Sequence, residues 1–208
     1  MGGYENFETV LVAAGLSTRM GETNKLLIEV DGQALIRRTA SLYCALGMQV
    51  TIVLGHQGEA IKEALAGLSV RTVFNADYKT GQQSSVRAGL DASDFSKTGI
   101  LIALADQPLL TPADIAGLCD AFLSGPPRRI MVPYVNQTRG NPVLFPSALA
   151  KLAHAEGEGS VPDYRRFIDA NPALVSSYAA PNANFITDID SPEDAEKYLK
   201  HFSLNSDK

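Results

Sequence analysis

An apolar run over residues 10–14 breaks at Gly15, and the stretch from there to Gly21 is mostly small, polar or glycine. Arg19 lies within it and Lys25 follows it. A loop that leaves a strand tip with glycines can bring backbone N–H groups close to an anion, where side chains would otherwise obstruct. A guanidinium fork and an ammonium point charge can add fixed positive charge to such a cradle. The loop reads as a triphosphate grip, against the plainer alternative of a solvated connection between elements. It is not a Walker loop, because no Gly-Lys-Ser/Thr follows at the required spacing. Gly15 and Gly21 also fall outside the frame of a dinucleotide fingerprint.

Carboxylates appear where other apolar runs meet solvent. The run 100–105 ends at Asp106-Gln107-Pro108, and Pro108 prevents continuation, so Asp106 is held at a strand's carboxyl end. The following helix has its own cap in Thr111-Pro112-Ala113-Asp114, which leaves Asp106 free to bind something. Residues 184–190 read as extended, so Asp188 and Asp190 share a face. Ser191, Pro192 and Asp194 supply the cap of the last helix without either aspartate. None of the histidines, His56, His154 and His201, sits in a motif with a nucleophile.

These residues need elements to position them. Short apolar runs at 10–14, 49–54, 70–74, 100–105 and 130–135 alternate with helical patterns at 34–46, 55–67 and after 111. Strands alternating with helices of about a dozen residues imply parallel βαβ units and a three-layer α/β sheet. Such sheets place ligands beyond the carboxyl ends of their strands, where the Gly15 loop would lie. Residues 26–30 read as extended, with Asp31-Gly32 as a turn. Residues 81–90 read as a helix start capped by Ser84 or Ser85. Gly140-Asn141-Pro142 is a turn signal between two strands. Residues 146–153 and 161–170 read as helices joined by a flexible link at 157–159. Arg165 and Arg166 on the second either hold an anion or form a solvated face. One domain over 1–208 is expected, with its core at about 8–202 and short mobile termini.

Composition narrows the function. The chain has 208 residues, 45% hydrophobic and 20% charged, which is ordinary for a globular protein. No apolar run approaches the roughly 20 residues of a membrane span, and residues 1–6 carry no signal-peptide pattern. Cys44 and Cys119 lie in apolar helical patterns, far from metal-binding spacing, and read as reduced core residues of a cytoplasmic protein. A net charge of −5 argues against nucleic acid or anionic membrane as partners. An acidic protein that handles a polyphosphate must concentrate cations locally.

The string Leu11-x-Ala13-Ala14-Gly15-x-Ser17-x-Arg19-Met20-Gly21, followed by Lys25-Leu26-Leu27, resembles the signature of GT-A-like nucleotidyltransferases. Within them it is most similar to molybdenum cofactor cytidylyltransferases. The resemblance runs through nearly the whole chain in order: grip loop, Gly81-x-x-Ser84-Ser85-Val86, Asp106-x-Pro108, Gly140-Asn141-Pro142 and Asp188-Ile189-Asp190. It implies a single-domain α/β/α sandwich of Rossmann-like GT-A type. It implies Mg²⁺ on Asp106 and on Asp190, the latter favoured over Asp188 as direct ligand. Nucleotide contacts would come from Ala13, Ala14, Gly15, Ser17, Arg19, Lys25, Gly81, Ser84, Ser85 and Asp106. Arg19, Lys25 and Asp106 would be catalytic. Gly140, Asn141 and Pro142 would face the acceptor, with asparagine standing where histidine is common. The implied donor is CTP and the implied acceptor is molybdenum-bearing molybdopterin, with a molybdoenzyme or its chaperone as a further partner. Two rival expectations are a nucleotidyltransferase with another base or acceptor, such as GTP, and a non-enzymatic nucleotide or cofactor carrier.

Overall fold

A computed structural model describes residues 3–20, 24–156 and 164–203, without the side chains of Arg19 and residues 199–203. Gly21, the 157–159 link, the expected helix start at 161 and the tail beyond 203 lie outside the described residues.

The first strand, β1 (Phe7–Ala13), shows why three layers form. Its side chains alternate in direction. Phe7, Leu11 and Ala13 enter one apolar cluster, and Val10 enters the cluster on the other face. A strand apolar on both faces must be covered on both. The hairpin β2 (Glu29–Val30) and β3 (Gln33–Ala34) turns at Asp31 and Gly32, both at positive φ, as the sequence anticipates. The sheet continues with β4 (Gln49–Leu54), β5 (Arg71–Phe74), β6 (Gly99–Leu104), β7 (Ile130–Val135), β8 (Thr138–Arg139), β9 (Val143–Pro146) and β10 (Val175–Ala179). The strand order is β10-β7-β9-β6-β1-β4-β5, with β8 paired to β7. The pairs β1 with β4, β1 with β6, β4 with β5 and β10 with β7 are parallel, whereas β9 runs antiparallel to β6 and β7.

Helices α1 (Leu35–Ala45), α2 (Gly58–Ala64) and α4 (Pro112–Ser124) cover one face through Leu35, Ile36, Ile61, Ile115 and Leu118. Ala195 of α7 (Pro192–Ser203) joins them. Helices α3 (Gln82–Asp91), α5 (Ser147–Ala155) and α6 (Tyr164–Ala170) cover the other through Val86, Leu90, Ala150 and Phe167. This is the mostly parallel α/β/α sandwich expected. Among the described residues no helix is long and apolar enough to cross a membrane.

Local expectations differ at several points. Strand β10 was not anticipated, because its Val-Ser-Ser-Tyr-Ala is only half-buried at the sheet edge and lacks an apolar run. Helix α2 is shorter than the 55–67 pattern, beginning after Gln57 in a left-handed conformation. Residues Lys25–Leu27 and Ala183–Ile186 form 3-10 turns rather than extended chain. Helix α3 is capped by Gly81 and not by either serine, so Ser84 and Ser85 lie within its first turn.

The capping box at the start of α4 forms as read, with the Thr111 hydroxyl accepting from the Asp114 N–H. Asp114 does more than cap. Its carboxylate also accepts from Asn182 Nδ2 at 2.7 Å and Asn184 Nδ2 at 3.0 Å. It therefore ties α4 to the segment that leads into Asp188. Burial pushes the Asp114 carboxyl up, but the hydrogen bonds from Asn184, Asn182 and Thr111 outweigh it and hold its pKa below the ordinary value. Asp114→Ala is expected to lower unfolding free energy by about 1.5–3 kcal/mol, the scale of a charge-assisted hydrogen bond. A depressed carboxylate pKa stabilises above the unfolded value and loses its effect as pH falls through the folded one. The gap between wild type and variant in denaturant titrations should accordingly shrink below about pH 4.

Candidate active site

The chain leaves β1 towards β4 on one side, whereas β6 lies on the other. At such a switch point the loops diverge and open a crevice beyond the strand ends. A cleft of about 470 Å³ lies there, walled by Ala13, Ala14, Gly15 and Ser17 after β1, by Gly81, Gln82 and Ser85 at the start of α3, and by Lys25, Asp106, Asp188 and Asp190.

The loop after β1 is shaped by local bonds. Ser17 adopts φ 51°, and its Oγ accepts from the Lys25 N–H at 3.4 Å, which brings the far end of the loop back. The Asn24 side chain caps the turn that follows by accepting from the Leu26 N–H at 3.0 Å, and Leu26 is buried as its anchor. Lys25 is thus aimed inward. Its Nζ lies 2.6 Å from Asp106 Oδ2 and 3.0 Å from Asp190 Oδ1. The Lys25 and Asp106 side chains are only 13% and 17% exposed, against 45% for Asp190. Burial alone would pull the Lys25 ammonium down, but the Asp106 carboxylate and then Asp190 overcome it and raise its pKa.

The aspartates converge through backbone pairing. The Ala105 N–H makes the last bond to β1, at Val12 O, and the chain then turns Asp106 towards the cleft. The Ile189 N–H donates to the Asp106 carbonyl at 3.0 Å, and the Ile189 side chain is fully buried. With Ile189 pointing inward, its neighbours Asp188 and Asp190 face the cleft together. One carboxylate oxygen from each of Asp106, Asp188 and Asp190 lies within 4.8 Å of the others. Partial desolvation, then repulsion by Asp106 and Asp190, raises the Asp188 pKa. Asp106 Oδ1 is buried and has no hydrogen-bond partner among the described residues. All-oxygen donors around an unsatisfied carboxylate oxygen suit a hard divalent cation.

Ser84 and Ser85 part company. Both hydroxyls accept from Asn75 Nδ2, at 2.9 and 3.0 Å, but Ser85 lines the cleft and Ser84 does not. Ser84 Oγ instead donates to the Gly81 carbonyl at 2.8 Å, closing the first turn of α3. Gly81 itself sits at φ 126°, a conformation that side chains rarely adopt.

A second cavity of about 370 Å³ adjoins the cleft and shares Gln82, Leu104 and Arg165 with it. Its floor is apolar, from Val86, Ile102, Val143, Phe145 and Ile168, and Gly140 and Asn141 lie on its wall. Pro142 follows them but is not part of that lining. The Arg19 backbone lies in the turn Thr18–Met20, and its side chain is outside the described residues.

Two residues that sequence reasoning missed hold this arrangement together. Gln107 is buried, and its Nε2 donates to the Phe185 carbonyl at 2.9 Å. The Asn141 N–H donates to the same carbonyl at 2.8 Å. Asn75 is likewise buried and supports both serines. For Asn75 the available signal was the one that marks Asp106, a polar residue closing an apolar strand.

Residues 9–175 match the model of the MobA-like NTP transferase domain. The chain belongs to that family. It is 29% identical over 198 residues to nicotine blue oxidoreductase of Paenarthrobacter nicotinovorans, covering 91% of this chain and 95% of that protein. It is 26% identical to the molybdenum cofactor cytidylyltransferase of Escherichia coli K12, covering 90% and 92% of the two. A nucleotidyl transferase from Methanothermobacter thermautotroptrophicus superposes with a TM-score of 0.80 at 21% identity, over 95% of this chain and 98% of that one. The family member described here is an enzyme of the nucleotidyltransferase kind.

In this family member the Gly140 turn is packed against Phe185. A Cβ on Gly140 would sit 2.5 Å from the Phe185 carbonyl oxygen, so a side chain there must displace backbone. Gly140→Ala should cost about 1–3 kcal/mol of stability, as overpacking does. Loss of amide-exchange protection at Asn141 in that variant would report the broken bond to Phe185.

Proposed function

We propose that the enzyme transfers CMP from CTP to the terminal phosphate of molybdenum-bearing molybdopterin, releasing pyrophosphate. The observation that carries this reading is the Asp106, Asp188 and Asp190 cluster bridged by Lys25, at the mouth of a cleft that shares a threshold with an amphipathic cavity. With the three carboxylates ionised the cluster carries −3, and Lys25 reduces this to −2, the charge one divalent cation would balance. Mg²⁺ held by Asp106 and Asp190, with Asp188 beside them, would neutralise phosphate charge during transfer.

The chain's own residues then bind and orient. The amides after Ala13, with Gly15 and Ser17, face the triphosphate. Among the described residues, its chain neighbours aside, no atom lies within 4 Å of where a Gly15 Cβ would stand, and a glycine there leaves room for the close approach of phosphate. Lys25 and Arg19 steady the leaving pyrophosphate. Gly81 and Ser85 contact base and ribose, while Ser84 acts by shaping the helix start. An oxygen of the acceptor phosphate forms the new bond to the α-phosphorus, and the electron pair of the broken bond leaves with pyrophosphate. A phosphate monoester is already anionic near neutral pH, so no general base is required. Gly140 and Asn141 face the acceptor in the second cavity.

The full-length likeness to nicotine blue oxidoreductase supports a second reading, redox chemistry on the same scaffold. Three carboxylates gathered beside a glycine loop at a strand end form an arrangement that a phosphate-bound divalent cation would use, which favours the transferase. An assay for oxidation or reduction of nicotine blue, run beside one for pyrophosphate release, separates the two.

Asp106→Ala is expected to fold normally and to lose about 10²-fold or more in magnesium-dependent turnover, as when one electrostatic stabiliser is removed. Near-normal turnover in that variant would sink the assignment of Asp106.

The donor preference is tested by incubating equimolar CTP and GTP with molybdenum-loaded molybdopterin and weighing the dinucleotide product. Guanine is larger and presents a different edge, and each buried polar group left unpaired carries a penalty of about 1–3 kcal/mol. One or two such losses predict a CTP preference of roughly 10- to 10³-fold. Ser85→Ala should erode that preference more than it lowers turnover with CTP. A guanine product in excess reverses the assignment of the base.

A further inference from the structure

Transfer between two bound molecules takes place where their cavities meet, and here that threshold is formed by Gln82, Leu104 and Arg165. Arg165 is the cation of the three. Lys25 and Lys79 face only the first cleft, and Arg139 faces only the second. Arg139 is moreover engaged, with Nη2 2.7 Å from Asp169 Oδ1. Burial pulls the Arg139 guanidinium down, but its hydrogen bond to the Asp169 carboxylate more than restores it, so its charge is already met within the protein.

Asp169 and Arg165 are four residues apart on α6, and therefore lie on the same helical face one turn apart. Tyr164, Phe167 and Ile168 bury the opposite side of α6 in the core, which leaves Arg165 on the threshold and Asp169 beside it in reach of Arg139 of β8. Arg165 is exposed and has no hydrogen bond or ion pair among the described residues. Adjacent Arg166 lines neither cavity.

We propose that Arg165 binds the acceptor's attacking phosphate and aims it across the threshold at the nucleotide. The inference rests on the transferase reading and deepens it by naming the residue that selects phosphorylated acceptors. A guanidinium offers a planar pair of donors to two phosphate oxygens, which leaves the third free to attack. The uncharged apolar floor of the second cavity can hold an acceptor's body, but it cannot compensate a phosphate dianion brought to its edge. Arg165 supplies that charge where the nucleotide's own phosphates would otherwise repel the acceptor.

The experiment compares wild type, Arg165→Ala, Arg165→Lys and Arg166→Ala, with molybdenum-loaded molybdopterin varied at saturating CTP and with CTP affinity measured by equilibrium titration. Arg165→Ala should lower kcat/KM for the acceptor by about 10- to 10²-fold, the scale of lost charge-assisted hydrogen bonds. Its CTP affinity should stay at the wild-type value. Arg165→Lys, which keeps the charge without the fork, should recover part of the loss, and Arg166→Ala should match wild type. An unchanged acceptor kcat/KM in Arg165→Ala overturns the proposal and leaves the transferase reading standing. Equal losses in Arg165→Ala and Arg166→Ala, or a parallel loss of CTP affinity, also overturn it, because either would show a diffuse charge effect. A wild-type enzyme that turns over none of the acceptor overturns both.

Discussion

Three carboxylates within 4.8 Å of one another repel strongly unless something positive stands among them. Lys25 meets that requirement, and the geometry around it follows. Its ammonium binds Asp106 and Asp190 from a turn whose entry is fixed by Asn24 and whose approach is fixed by Ser17. The loop after β1, the end of β6 and the segment before α7 are joined at one charge. Each is distant from the others in sequence, so the cluster exists only when the sheet is complete.

The parallel sheet makes that convergence possible. Strands that run the same way deliver their exit loops to one edge, and the reversal of order beside β1 leaves a crevice between them. The antiparallel strand β9 then brings the Gly140 turn to the same edge. The Phe185 carbonyl accepts from both Gln107 and Asn141, so the loop that carries Asp106 and the wall of the second cavity share one anchor. Asp114 fixes the segment just before that anchor through Asn182 and Asn184. The neighbouring cavities are thus braced largely by residues behind their walls, Gln107, Asp114, Asn182 and Asn184.

The two cavities differ in character, and the difference bears on chemistry. The first is walled by carboxylates, two lysines and backbone of small residues, which suits a charged ligand. The second has an aliphatic and aromatic floor with polar groups at its rim, which suits a body of low charge.

Much of this was legible in the chain itself. Apolar runs alternating with helical patterns determine a three-layer parallel sheet, because a strand apolar on both faces can be buried in no other common way. Residue type also determines the capping boxes at Thr111 and Ser191 and the turn at Asp31-Gly32, which are local and depend on a few neighbouring bonds. What the sequence could not decide is contact between distant segments. Nothing near Lys25 in the chain says that it pairs with Asp106 and Asp190, and the run of two serines does not say which one faces the cleft. The roles of Gln107 and Asn75 escaped for the same reason, since a buried amide is intelligible only once its partner across the fold is in place. Strand β10 escaped because its half-buried edge position demands no apolar run. Tertiary structure decided these points because hydrogen bonds and ion pairs act over a few ångströms of space, whatever the separation along the chain.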